Sequence, residues 1–216
     1  MWIDQPYSMP GGETADPSET DERLRLAHEN RYRRLIKCVE PLGPRYILFH
    51  PSGSYLPAGE RPERMKACVR TISNLRADAK AIGASIIVEN LRGPRLSRGK
   101  GLERGLGRTV EEMTGLMRMM PDDVYAVVDL NHIEHPEQLL RTLGSRVKSL
   151  HVCDSDGERD RHWLPGRGHN DWTQILAALN EIGYDGPWLY ELKKDQVKDY
   201  SDMKNAYERI LNNVEF

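Results

Sequence analysis

Residues 124–132 read Val-Tyr-Ala-Val-Val-Asp-Leu-Asn-His. Val124 to Val128 is apolar at successive positions, not alternate ones. A strand of that kind is buried on both faces, as in a parallel sheet covered by helices. The run ends in a carboxylate, Asp129. The same design recurs on either side of it. Upstream, Arg45-Tyr46-Ile47-Leu48-Phe49 ends in His50, and Ser85-Ile86-Ile87-Val88 ends in Glu89. Downstream, Val147 to Leu150 ends in His151, and Trp188-Leu189-Tyr190 ends in Glu191.

Helical patterns separate these runs. They cover residues 21–40, 60–82 (stopped by Gly83) and 109–119, where Thr109 is placed as N-cap with Glu112 three residues on. They continue at 136–143, with Pro136 in the first turn and Gly144 after the end, at 171–182 between Asp171 and Gly183, and at 199–213. Strand and helix in turn predict right-handed βαβ units, in a doubly wound open sheet or a closed barrel. The strand ends decide between them. Chance would scatter acids and histidines over both ends, yet all five fall on the C-terminal one. In a parallel barrel those ends converge on one rim, where active sites lie. In an open sheet the outer strand ends lie too far apart to share one ion. The expected fold is therefore α/β, a parallel (β/α) barrel.

Such a rim brings several carboxylates together. They repel one another unless a cation or protons neutralise them. Oxygen and nitrogen donors without thiolate suit Mn²⁺, Mg²⁺, Co²⁺ or Zn²⁺.

The 216 residues suit a single domain spanning 1–216, although a complete eight-unit barrel usually takes ~250 residues. The net charge of −2 predicts no general attraction to nucleic acid or to anionic membrane. No apolar run approaches the ~20 residues that span a bilayer. The start, MWIDQPYSMPGGE, has no basic region followed by an apolar run, so no secretory signal is expected. Cys38, Cys68 and Cys153 fit neither a disulfide framework nor a CxxC zinc site, and a reducing cytoplasm is the expected location. The stretch MTGLMRMM (113–120) is expected to be a helix packed on the barrel, and Cys153 to be a packing residue. Residues Arg92–Arg108 hold five Gly and six basic residues against one acid. They match neither the Walker loop nor GxGxxG, and are expected to be a solvated loop over the rim, with a phosphate-gripping lid as the alternative.

The ordered set VEN (88–90), DLNH (129–132), HVCD (151–154), DRHWLPGRGHNDW (160–172) and YDGPWLYE (184–191) resembles the xylose isomerase-like TIM barrels. Within them it is most similar to the sugar phosphate isomerase/epimerase branch, and the likeness covers roughly residues 20 to 195. The resemblance implies four ligands for one divalent metal ion: Glu89, Asp129, His151 and Glu191. Mn²⁺ stands ahead of Mg²⁺, Co²⁺ and Zn²⁺. It also implies a substrate-binding His132, three residues after the Asp. HWLPGRG (162–168) resembles a short seventh strand with a glycine-rich turn and adds His162 to the substrate site, and FHPSGSY (49–55) adds His50.

The implied function is a metal-dependent sugar or sugar-phosphate isomerase or epimerase, working by proton transfer next to a carbonyl through an enediolate. Glu89 and Glu191, across the barrel by strand order, are the expected acid/base pair. Arg159 and Arg161 are placed to steady negative charge on a small-molecule sugar. Two rivals remain. An apurinic-site endonuclease of the endonuclease IV type shares this barrel and would find further ligands in His50, His132, Asp160 and His162. A truncated, non-catalytic barrel is the other. Ile3-Asp4-Gln5-Pro6-Tyr7 resembles the end of the family's strand 2, without its usual His, and strand 1 with its helix is missing from the pattern. The barrel is thus expected to be incomplete at its N-terminus, with an open edge that a homodimer could cover.

Overall fold

In the computed structural model, the described residues are 15–92, 97–99, 101–157 and 161–212. The expected strand 2 end at Ile3–Tyr7 lies outside them. Each helix begins and ends where local chemistry dictates. Asp21 accepts from Leu24 N–H and starts α1 (Glu22–Val39). A proline in the first turn opens α2 (Arg61–Ala81) and α4 (Pro136–Leu143). Thr109 caps α3 (Val110–Met119) by accepting from Glu112 N–H, and Asp171 caps α5 (Trp172–Glu181) by accepting from Gln174 N–H. The last helix, α6, spans Tyr200–Asn212. Gly83 (φ +78°) and Gly183 (φ +62°) turn the chain out of α2 and α5 through left-handed backbone, which a side chain would strain.

Five strands form one parallel sheet. They are β1 (Tyr46–Phe49), β3 (Ser85–Glu89), β6 (Tyr125–Asp129), β7 (Val147–Val152) and β8 (Trp188–Tyr190), in the spatial order β1-β3-β6-β7-β8. All neighbours run parallel. Among the described residues this sheet ends at β1 on one side and β8 on the other, as the incomplete barrel requires. The central strands are buried on both faces, whereas every residue of β8 is half-exposed. Its outer side is covered by α6: the Trp188 and Tyr207 rings meet edge to face at 5.4 Å, and Tyr190 Oη donates to Met203 O at 3.0 Å.

The two faces have different work. Ile47, Phe49, Ile86, Val88, Ala126 and Val128 point outward into the core shared with the helices. Met113, Met117 and Met120 join that core, as expected for a helix packed on the barrel. Leu48, Ile87 and Val127 point the other way and form a small inner cluster. Truncating a buried leucine in such a core costs about 2–5 kcal/mol.

The expected loop over Arg92–Arg108 is corrected. Within it β4 (Ser97–Gly99) and β5 (Leu102–Arg104) pair antiparallel, and β5 pairs in turn with β2 (Tyr55–Pro57). Because β2 follows β1 and β4–β5 follow β3, this three-stranded ribbon stands at the C-terminal rim. Arg61 ties it down, donating to Arg104 O (2.6 Å) and Gly105 O (2.9 Å) while bonding Glu112 at 2.6 Å. Gly105 permits the close approach: a Cβ there would lie 2.6 Å from Gly53 O. The short run near Trp163 is not a sheet strand. It makes only an isolated antiparallel bridge to Asp154.

Candidate metal centre and active site

Side chains alternate along a strand, so the residue two positions beyond an inward-facing one faces inward too. Counting two from Leu48, Ile87 and Val127 gives His50, Glu89 and Asp129. Ser149 leads to His151 in the same way, and Leu189 to Glu191. Five neighbouring strands therefore deliver five polar side chains to one point above the inner cluster.

Glu89, Asp129, His151 and Glu191 each offer a ligating atom, all within 4.8 Å of one another. Three carboxylates converge on a single nitrogen, His151 Nδ1: Glu89 Oε1 at 2.8 Å, Glu191 Oε2 at 3.1 Å and Asp129 Oδ2 at 3.7 Å. His50 Nε2 lies 3.3 Å from the other Glu89 oxygen. Burial by itself disfavours charge on His151, but the attraction of Glu89, Asp129 and Glu191 outweighs it and pushes the imidazole up to about 12. Burial likewise works to raise Glu89, yet His151 and His50 overcome it and hold the carboxyl at about 2. Asp129 is also lowered: burial opposes this, and His132 and His151 prevail.

One buried oxygen of each acid, Glu89 Oε2, Asp129 Oδ2 and Glu191 Oε2, makes no hydrogen bond of good geometry among the described residues. Leaving such groups unmet is costly. Three carboxylates and one imidazole, with those oxygens unsatisfied, fit a hard or borderline divalent cation.

The expected substrate residues gather round this cluster. His132 Nδ1 donates to Asn90 O at 3.0 Å and lies 3.3 Å from Asp129 Oδ2. His162 Nδ1 donates to Glu191 O at 2.9 Å, and its ring meets His132 edge to face at 5.9 Å. His162 has φ +48°, the one positive φ of a non-glycine among the described residues. Strain of that order costs about 1–3 kcal/mol and persists where surrounding contacts over-determine it. Arg161 is engaged at the edge, paired with Asp156 at 2.6 Å and 5.3 Å from the Trp163 ring centre. Arg159 lies outside the described residues, as does Asp160, a ligand the endonuclease IV-type reading needs.

Sequence reasoning missed the residues that hold the ligands in place. Asn90 brackets Asp129: its Nδ2 donates to Asp129 O (3.0 Å) and its Oδ1 accepts from Asp129 N–H (2.8 Å). Asn131 N–H donates to Asp129 Oδ1 at 2.6 Å, which directs Oδ2 into the cluster. Cys153 Sγ, fully buried, lies 3.8 Å from the same Oδ1, and Asp129, Cys153 and His162 form a second group with ligating atoms within 4.8 Å. Asp154 gathers the stretch after His162, accepting from Gly166 N–H, Asn170 N–H and Trp172 Nε1–H. Asn90, Asn131 and Asp154 all stand inside the quoted motifs, one to three residues from a ligand.

Residues 5–212 match the xylose isomerase-like TIM barrel family. An uncharacterised protein of Methanocaldococcus jannaschii is 26% identical over 211 residues, 92% of this chain and 69% of that protein. Fructoselysine 3-epimerase of Escherichia coli O157:H7 is 36% identical over 50 residues, 23% of this chain and 18% of that enzyme. A D-tagatose 3-epimerase-like protein superposes with a TM-score of 0.77 at 22% identity, over 99% of this chain and 77% of that one. The IolI protein with a bound zinc atom gives a TM-score of 0.70 at 19% identity, over 90% of this chain and 73% of that one. At these identities the structural likeness speaks for the fold. No helix among the described residues is long and apolar enough to cross a membrane.

Proposed function

From the premise that the chain belongs to the xylose isomerase-like TIM barrel family, we propose that it is a divalent-metal-dependent sugar isomerase or epimerase, acting as a single domain in the cytoplasm. The observation that carries the reading is the cluster itself: three carboxylates and a histidine from four adjacent strands, their ligating atoms within 4.8 Å, with three buried oxygens unsatisfied. The names of similar proteins support it, since a fructoselysine 3-epimerase and a D-tagatose 3-epimerase-like protein are among them. Free thiols at Cys38, Cys68 and Cys153 suit a reducing compartment.

Glu89, Asp129, His151 and Glu191 would hold the cation, with Mn²⁺ the first choice. Bound there, it would polarise a substrate carbonyl and acidify the neighbouring C–H. The protein supplies the proton transfers. Glu191 stands at the open side of the cluster, its side chain 34% exposed against 2% for Glu89. It takes the proton from one face of the substrate, and Glu89, after taking up a proton from solvent, returns one from the other. Return to the same carbon epimerises; return to its neighbour isomerises. His132 and His162 hydrogen-bond substrate oxygens, and His50 steadies Glu89. Arg161 stands at the edge of the site, paired with Asp156.

The test is solvent exchange. The Mn²⁺-loaded protein is incubated with a panel of ketoses in D₂O, and deuterium at the carbon beside the carbonyl is followed by NMR. Metal-dependent incorporation is expected with at least one ketose. Its absence across the panel, with the cation demonstrably bound, overturns the reading.

A further inference from the structure

Beside the carboxylate cluster lies a cavity of about 270 Å³. Its barrel side includes His132 and Arg92, and its ribbon side Ser54, Tyr55 and Arg104. His132 is the common wall: its Nδ1 is 3.3 Å from Asp129 Oδ2, while the ring also faces the cavity. The two compartments are therefore separated by about one imidazole and carry opposite charge. Three carboxylates meet on one side. On the other, two arginines, Arg92 and Arg104, line the cavity and no acidic residue does, among the described residues.

Two acids near the ribbon pair with Arg61. Glu112 bonds Arg61 at 2.6 Å, and Glu103 lies 3.6 Å from the same arginine. Arg104 is also set in advance. Tyr55 and Arg104 are register partners across β2 and β5, so their side chains share one face of the ribbon. Arg104 Nη1 donates to Tyr55 Oη at 2.9 Å, and its guanidinium carbon stands 5.3 Å from the tyrosine ring centre. A guanidinium fixed this way loses less freedom on binding, and its planar fork matches the oxygens of a carboxylate or phosphate. Arg92, three residues beyond Glu89, lines the same cavity. Two arginines thus line a cavity beside the metal-ligating rim, close in size to the ~300 Å³ lower end of small-molecule sites.

Building on the sugar isomerase or epimerase reading, we propose that the substrate carries an anionic group, a phosphate ester or a carboxylate, on the end remote from the reacting carbons. Arg92 and Arg104 hold that group in the cavity. The polarity also sets the direction of binding: the anionic end is repelled by Glu89, Asp129 and Glu191 and drawn to the ribbon, which leaves the carbonyl end at the cluster.

Three probes separate the alternatives: a ketohexose, its 6-phosphate and the corresponding 6-carboxylate. kcat/KM for solvent exchange is measured for each on the Mn²⁺-loaded protein and on Arg104→Gln, Arg104→Lys and Arg92→Gln. At least one anionic probe should exceed the neutral ketose tenfold or more, and the arm that does so identifies phosphate or carboxylate. Arg104→Gln and Arg92→Gln should each bring that ratio close to one. Arg104→Lys, which keeps the charge and loses the fork, should fall between. A ratio near one in the wild type, or one that survives both glutamine substitutions, overturns the proposal and leaves the sugar reading standing. If no ketose exchanges, the sugar reading fails, and titration with inorganic phosphate decides the cavity by itself. Binding that weakens at least tenfold in Arg104→Gln and in Arg92→Gln supports the anion site, and equal binding in all three proteins overturns it.

Discussion

Binding of a cation should expel one proton. Three carboxylate oxygens stand 2.8, 3.1 and 3.7 Å from His151 Nδ1. Burial opposes charge on this ring, but those acids hold its pKa up at about 12. The folded value is raised above the ordinary ~6.5 of histidine, so the ring is an imidazolium at neutral pH. A metal ligand must be the neutral imidazole. Each cation bound through His151 therefore displaces one proton. The apparent association constant should rise about tenfold per pH unit, about 1.4 kcal/mol, throughout the range from about pH 7 to about pH 9. Glu89, held at about 2, does not titrate in that window.

The same shift has a sign for stability. Because the folded pKa is raised, the contribution of the charged ring is fully present below about pH 6.5 and is lost as pH climbs toward the folded value. The metal-free protein should weaken over that interval, while the loaded protein, whose His151 is already neutral, should not. Calorimetric titration of Mn²⁺ in buffers of equal pH and different ionisation heats counts the protons directly. One proton per cation is expected. A count of zero, with an affinity flat in pH, would show either that His151 is not a ligand or that the acids do not hold a proton on it.

Other substitutions test other parts of the site. Glu191→Gln keeps size and removes the base, so it should bind substrate yet lose solvent exchange by about 10²–10⁴-fold; exchange at the wild-type rate removes Glu191 from the mechanism. Asn90→Ala deletes both bonds to the Asp129 backbone and should cost about 1–3 kcal/mol in chemical unfolding, with weaker Mn²⁺ binding. Unchanged Mn²⁺ affinity would show that Asp129 needs no such bracket. At Gly168 a Cβ would lie 2.2 Å from Ser155 O and 2.3 Å from Asp154 Oδ1. Gly168→Ala must therefore push apart the turn that Asp154 gathers, and should lower Tm and disturb His162; a wild-type melt and exchange rate would contradict that packing.

The barrel strands and helices were legible because their signals are local. Helix bounds such as Arg61–Ala81 and Trp172–Glu181 fall within about one residue of those read from caps, prolines and glycines. The ribbon was not legible, for a physical reason. Apart from Leu102, Ser97–Gly99 and Leu102–Arg104 are built of glycine, serine and charged residues, so no apolar alternation announces them. Their order comes from pairing with Tyr55–Pro57 and from Arg61 on α2, both far away in sequence. Asn90 and Asp154 escaped for a related reason. Apart from one bond, Trp172 Nε1–H to Asp154, their side chains bond backbone groups, which leave no trace in the order of side chains.

The rim residues were legible because strand parity carries them. Asp129 faces the cluster only because it stands two residues beyond Val127, which faces inward, while Val128 between them packs against the helices. Register then aligns the rows: Asp129 pairs with His151, and His151 with Leu189, two residues before Glu191 and so on the same face. Inserting one residue within β6 would reverse its faces. The Asp129 carboxylate would enter the apolar layer beneath α3 and α4, and Val128 would take its place above the inner cluster. Loss of fold and loss of cation would then come from a single cause. The position of each ligand is thus a property of the whole strand that carries it, and the apolar runs and the polar ends read in the sequence are two views of the same alternation.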